Sequence, residues 1–209
     1  MPTSKPAVLF VDLDGVLRRW GNGDAAIEVR CGLPNGSLTR VAFSPEFLTP
    51  AITGTVSDEM WRRQVAAELQ RRHPRSMAHA AVAQWSASPG ELEPHVLDVL
   101  SRCRNDIRLI LATNATSRLG ADLRALGLEQ RFDAVANSSS LGVAKPNAAY
   151  FDAALSVAGV RASDALFVDD SPANVMAARQ TGMNAHHFTD HAALTAFLCD
   201  AGAMSSDAG

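Results

Sequence analysis

Five short apolar runs punctuate the chain, and three of them lead into the oxygen-bearing residues Asp12 and Asp14, Thr113, and Asp169 and Asp170. The first covers residues 7–11, Ala-Val-Leu-Phe-Val, and is continuous rather than alternating. Such a run suits a strand covered on both faces. It stops abruptly at Asp12-Leu13-Asp14-Gly15. The other four runs are 107–112, leading into Thr113-Asn114; 134–136; 165–168, leading into Asp169-Asp170; and 185–188.

Between these runs the apolar period changes from continuous to helical. Leu119, Leu123 and Leu126 form a stripe that Gly127 ends. Residues 148–158 carry Tyr150, Phe151, Ala154, Leu155 and Ala158 at helical spacing. Residues 172–181 open with Ser171 as an N-cap and Pro172 at the first helical position, and Gly182 closes them. Residues 191–198 make a last amphipathic helix. Strands alternating with helices predict an α/β fold, a parallel sheet with helices on both faces.

The stretch 18–90 breaks the alternation. Ser57 can cap a helix in which Asp58 and Glu59 meet the positive end and Trp61, Val65 and Leu69 share one face. Pro74 lies at or beyond its end. A second helical pattern, Met77, Ala81 and Trp85, stops before Ser88-Pro89-Gly90. This predicts a small helical module inserted after the first strand, with Trp61 and Trp85 in its own core. The Gly- and Pro-containing part, 21–52, carries no pattern that assigns it. The expected division is a core of 1–17 and 91–200, an insert of 18–90, and a flexible tail of 201–209.

Composition narrows the class. Of 209 residues, 47% are hydrophobic, enough for a core domain and a small accessory module. A net charge of −3 provides no basic face for nucleic acid. The local run Arg62, Arg63, Arg71 and Arg72 reads as a solvated helix face. No signal-peptide pattern and no run of membrane-spanning length is present. Cys31, Cys103 and Cys199 lack metal-type spacing and read as reduced thiols, consistent with a cytoplasmic protein that is a monomer or homodimer.

The chemistry concentrates where apolar runs end. Ligands of parallel sheets bind outside the carboxyl ends of the strands. Asp12, Asp14, Thr113, Asp169 and Asp170 all fall there if the strands adjoin. A single carboxylate after a strand is usually a turn former. Four packed together repel and raise one another's pKa, which a cation relieves. An all-oxygen set calls for Mg²⁺ rather than zinc. Lys145, in Gly142-Val-Ala-Lys145-Pro146, can balance the charge of Asp12 and of a transferring phosphoryl group.

Asp12-x-Asp14-Gly15-Val16, then Thr113-Asn114, Lys145-Pro146, and Asp169-Asp170-Ser171, in that order, resemble the haloacid dehalogenase-like hydrolases. The likeness covers nearly the whole chain and is least clear over 18–52. It implies a Rossmann-like core with a mobile cap. The long gap after the first motif looks like the subclass with a helical cap. Gly54 to Trp61 and Phe167 to Asn174 look closest to the branch of sugar-phosphate phosphatases and the phosphatase domain of soluble epoxide hydrolases.

The resemblance also implies a mechanism. Asp12 attacks phosphorus and forms an aspartyl-phosphate. Asp14 protonates the leaving oxygen and then activates water. Thr113, the backbone N–H of Asn114, and Lys145 bind phosphoryl oxygens and charge. Mg²⁺ is held by Asp12, the carbonyl of Asp14, and Asp170, with Asp169 in support directly or through water. Asn174 stands where many relatives carry a further Asp; it is either a lost ligand or an ordinary first-turn residue. Asp14 favours a phosphatase acting on a phosphorylated small molecule over a dehalogenase, because a halide needs no proton. A phosphomutase of the β-phosphoglucomutase kind and a non-catalytic binding protein are the alternatives. Arg18, Arg19 and Trp20 either meet substrate or sit at the hinge surface.

Overall fold

The computed structural model describes residues 5–21 and 23–204. Its centre is a five-stranded parallel sheet in the order β5-β4-β1-β6-β7. The strands are β1 (Val8–Val11), β4 (Arg108–Thr113), β5 (Ala134–Asn137), β6 (Ala165–Asp169) and β7 (Asn184–His187). β1 lies in the middle, with Val11 opposite Leu111 on one side and Val168 on the other. The continuous apolar run of β1 is explained by its two covered faces. Leu9 and Val11 point into one layer with Val96, Val99, Leu123 and Leu194. Val8 and Phe10 point into the opposite layer with Tyr150, Phe151, Phe167 and Val175.

The helices of the first layer are α6 (Pro94–Ser101), α7 (Leu119–Ala125) and α11 (His191–Asp200). Those of the second are α9 (Ala148–Ala158) and α10 (Pro172–Gln180), with the single turn α8 (Ser138–Leu141) leading to them. Ser171 occupies the N-cap position of α10 but makes no side-chain capping bond, while Asn147 caps α9 by accepting from Ala149 N.

Between β1 and α6 the chain makes one long excursion. It leaves on β2 (Arg18–Arg19) and returns on β3 (Glu91–Leu92), which pair antiparallel. Five helices lie between: α1 (Gly23–Arg30), α2 (Ser37–Ala42), α3 (Pro45–Ile52), α4 (Asp58–Leu69) and α5 (Arg75–Ala87). In α4, Ser57 Oγ accepts from Met60 N, and Trp61, Val65 and Leu69 are buried on one side as their spacing predicts. They pack with Leu38, Ala42, Ala51, Ala78 and Val82 in a cluster separate from the two sheet layers. The unassigned stretch 21–52 forms α1, α2 and α3. These helices are short, and buried Glu28 links two of them by accepting from Gly36 N (2.5 Å) and Leu38 N (2.7 Å). That interaction satisfies free N–H groups at the start of α2 from outside the helix.

One sequence expectation changes. Residues 201–204 do not behave as a tail. Gly202, at φ 67, reverses the chain after α11, and Ala203 N donates to Leu198 O at 2.8 Å. Ala203 is buried and its carbonyl accepts from Arg104 N. Residues 205–209, also expected in the tail, lie outside the described residues. No helix among the described residues is long and apolar enough to cross a membrane. Burial pushes the Cys103 thiol up to about 11, which leaves it inert at neutral pH.

Candidate active site

The adjacency of β4, β1 and β6 decides what the strand ends bring together. Asp12 follows β1, Thr113 ends β4, and Asp169 ends β6. Asp12 N donates to Val168 O at 2.9 Å, which fixes the turn after β1 against β6. Carboxylate oxygens of Asp12, Asp169 and Asp170 lie within 4.8 Å of one another. Gly15 makes this approach possible. It adopts φ 84, and a Cβ there would fall 2.0 Å from Asp170 Oδ2.

Lys145 reaches this group from the loop before α9. Its Nζ donates to Asp169 Oδ2 at 2.6 Å and Ala112 O at 2.7 Å, and it lies 3.0 Å from Asp12 Oδ1. Asn114 holds it there through two backbone bonds: its Nδ2 donates to Lys145 O, and its Oδ1 accepts from Lys145 N, both at 2.9 Å. The Asn114 side chain therefore positions Lys145, a task the sequence did not suggest.

The charges strain against burial. Burial pushes Asp12 up to about 7; the Lys145 ammonium pulls it back, and the Asp169 charge pushes it further up. Burial and Asp169 also raise Asp170. For Lys145, burial acts downward, but Asp12 and Asp169 outweigh it and hold the ammonium charged. One cation thus faces three carboxylates.

Asp169 is fully buried and heavily engaged. Its Oδ1 accepts from Ser171 N at 2.9 Å, and Asn174 Nδ2 donates to both its oxygens at 2.9 and 3.1 Å. Asn174 is itself buried. It is a donor that steadies Asp169, a duty that neither sequence reading of Asn174 included. On Asp12, the bonds from Leu13 N and Lys145 fall on Oδ1 among the described residues. Oδ2 remains for chemistry. The Thr113 hydroxyl is buried with no hydrogen-bond partner among the described residues. An orphaned buried donor costs free energy unless something arrives to accept from it.

Asp14 is placed differently. Arg18 grips its carboxylate with Nε at 2.7 Å and Nη2 at 3.0 Å, and Trp20 Nε1 donates to Oδ1 at 2.7 Å. Arg18 is buried and bonds onward to Asp122 at 3.1 Å and to Pro89 O at 3.2 Å. Arg118 holds Asp122 from the other side and reaches the carbonyls of Ser86 and Ser88 at the end of α5. The sequence left Arg18 between two roles; the structure puts it in a buried ion network. Its partner Asp122 lies 104 residues away, so no local signal could reveal the pair. The Asp14 side chain lies outside the three-carboxylate group.

The three carboxylates, an all-oxygen donor set with excess negative charge, suit a hard divalent cation such as Mg²⁺. Asp12 and Asp170 have the freer oxygens to hold it, since both oxygens of Asp169 are in use.

A sequence profile of the haloacid dehalogenase-like hydrolases matches residues 7–182. A curated relative, haloacid dehalogenase-like hydrolase domain-containing protein 3 of Xenopus laevis, is 38% identical over 104 residues. Those residues are 49% of this chain and 41% of the relative, so the match spans less than half of that protein. Among solved structures, a HAD-like family hydrolase from Porphyromonas gingivalis superposes with a TM-score of 0.68 at 22% identity, over 88% of this chain and 91% of that one. A HAD family enzyme from Bacteroides thetaiotaomicron, in complex with magnesium and inorganic phosphate, gives 0.67 at 18% identity, covering 88% and 94%. L-2-haloacid dehalogenase from Xanthobacter autotrophicus gives 0.65 at 19%, covering 97% and 90%. At such identities the structural likeness speaks to fold alone.

Proposed function

The chain belongs to the haloacid dehalogenase-like hydrolases, and from that premise we propose that it is a Mg²⁺-dependent phosphatase of small phosphomonoesters, in the helical-cap subclass. The observation that carries this reading is the cluster of Asp12, Asp169 and Asp170 carboxylates facing one ammonium. Displacement of a halide needs neither a dication nor this accumulation of acids. Transfer of a dianionic phosphoryl group needs both charge neutralisation and in-line positioning.

Asp12 Oδ2 attacks phosphorus in line and the ester bond breaks, leaving an aspartyl-phosphate and an alkoxide that needs a proton. Asp14, at the edge of the site, is the group to give that proton and to take one from the water that cleaves the intermediate. Arg18 and Trp20 hold the Asp14 carboxylate in place at the mouth of the site. Thr113 donates its unpartnered hydroxyl to a phosphoryl oxygen, and the backbone N–H of Asn114 lies on the same turn. Lys145 keeps Asp12 ionised and oriented while phosphoryl charge accumulates beside it. Mg²⁺, held by Asp12, Asp170 and the carbonyl of Asp14, would screen the nucleophile from the phosphoryl oxygens it approaches. Asp169 acts through Lys145 and Asn174.

Phosphate release from para-nitrophenyl phosphate with and without Mg²⁺, alongside halide release from 2-chloropropionate, tests the assignment. Magnesium-dependent phosphate release that Asp12→Asn abolishes is the expected result. Halide release without phosphate release would make the chain a dehalogenase. Absence of both, over a panel of phosphorylated metabolites, would leave a binding protein.

A further inference from the structure

The alcohol half of the substrate can be described more narrowly, on the premise that the chain is a phosphatase. A cavity of about 210 Å³ separates the catalytic edge from the inserted helices. Its floor is Asp14 and the turn Asn114–Thr116; Asp12, Thr113 and Lys145 do not line it. Asp14, the group assigned to protonate a leaving alcohol, is thus the acid of the catalytic edge that also faces this cavity. Phe43, Leu48, Ile52, Trp61, Trp85 and Leu119 make its walls. Trp85 meets Phe43 and Trp61 edge-on, with ring centroids 6.0 and 5.1 Å apart. The walls are therefore wide, rigid and apolar.

The charges around this cavity are unequal and mostly committed. Four carboxylates line it, Asp14, Asp24, Asp58 and Asp122, against two guanidinium groups, Arg18 and Arg62. Arg62, which the sequence placed on a solvated face, is only 16% exposed and forks onto Asp58 at 2.6 and 3.2 Å. Its third nitrogen donates to Ser86 Oγ at 2.8 Å, and its plane lies 4.6 Å over the Trp85 ring. Arg18 is divided between Asp14, Asp122 and Pro89 O. Each guanidinium nitrogen of both residues is already engaged, so a further anion would have to compete with a bond now made. Asp24, by contrast, has no ion-pair partner among the described residues.

We infer that this cavity takes an apolar alcohol of aromatic size that carries no second anionic group, and that it admits an ammonium on that alcohol beside Asp24. Sugar bisphosphates and phosphorylated carboxylic acids are thereby excluded as good substrates. An added carboxylate would meet no uncommitted guanidinium among the lining residues and would lie near the acids already there, an arrangement that like-charge repulsion in a desolvated site disfavours.

Three phenyl phosphates that differ only at the para position isolate this effect, because their phenols are similar leaving groups: 2-aminoethyl, ethyl and 2-carboxyethyl. With Mg²⁺ at neutral pH, kcat/KM for the carboxyethyl ester should fall at least about tenfold below the ethyl ester. The aminoethyl ester should equal or exceed it. Asp24→Asn should lower the ratio of aminoethyl to ethyl, and Phe43→Ala, at a half-exposed position, should raise KM for all three. Equal or better turnover of the carboxyethyl ester would overturn the inference and leave the phosphatase reading standing. So would turnover of para-nitrophenyl phosphate with none of the three. No phosphate release from any of these esters would overturn the inference; only silence across the whole panel of phosphorylated metabolites would overturn the phosphatase reading as well.

Discussion

Replacing Asp12 with asparagine removes one charge from the most crowded place in the molecule and changes its shape very little. The carboxyl of Asp12 is raised by burial from 3.8 to about 7. A carboxyl raised on folding contributes stability that is fully present below its unfolded value and is lost as pH rises through the folded one. Between about pH 4 and pH 7 the ion-free protein therefore loses stability on account of Asp12. A shift from 3.8 to about 7 corresponds to roughly 4 kcal/mol. The variant avoids that loss, in which the attraction of Lys145 is already included, but its buried amide Nδ2 takes the place of an oxygen and finds no acceptor, which takes back about 1–3 kcal/mol. A net gain of about 1–3 kcal/mol at pH 8 is the expected outcome, shrinking as pH falls below about 7. For a chain of this size, 2 kcal/mol is about 4–8 °C in Tm. Urea unfolding of both proteins in chelator, at pH 8 and pH 5.5, measures it. Added Mg²⁺ should then stabilise the wild type far more than the variant. A variant no more stable than wild type at pH 8 would refute the idea that uncompensated acid is what prepares this site for a cation.

Other substitutions probe the site separately. Thr113→Val removes a buried hydroxyl that has no partner; stability should hold or rise by about 1 kcal/mol while kcat/KM falls about 10²-fold, read by urea unfolding and phosphate release. Gly15→Ala places a Cβ 2.0 Å from Asp170 Oδ2 at a positive φ. It should raise the Mg²⁺ concentration needed for half-maximal activity about tenfold or more, as seen in a metal titration, because moving Asp170 loosens the ion's support. Asn174→Asp replaces a donor to Asp169 with another acid. It should destabilise the ion-free protein by about 2 kcal/mol, with Mg²⁺ restoring most of the loss, which thermal melts with and without the ion would report.

The parts of this molecule that were legible in sequence are those whose information is local. Residues 7–11 announce a twice-covered strand because both faces need apolar side chains, and Asp12, Asp169 and Asp170 are readable because each directly follows such a strand. Ser57 at the head of α4 is a local signal too. The helices of 23–52 escaped because they are short and are held by contacts from elsewhere, such as Glu28 reaching across to α2. Arg18 gripping Asp14 and Asp122, Asn114 holding Lys145, and Arg62 turned inward were invisible for a related reason. Each depends on a partner brought near by the fold, and residue type alone offered several plausible duties. Ala203 was misjudged because a small residue after a glycine has the same appearance in a core edge as in a tail.

The pairing of Arg18–Arg19 with Glu91–Leu92 draws both ends of the inserted helices into one two-stranded stalk, and Asp58 and the end of α5 add side-chain bonds to the turn that carries Ser117 and Arg118. A rearrangement of the helices would therefore have to break the bonds of Asp58 and Ser86 to residues 116–118 while the stalk kept both ends of the insert together.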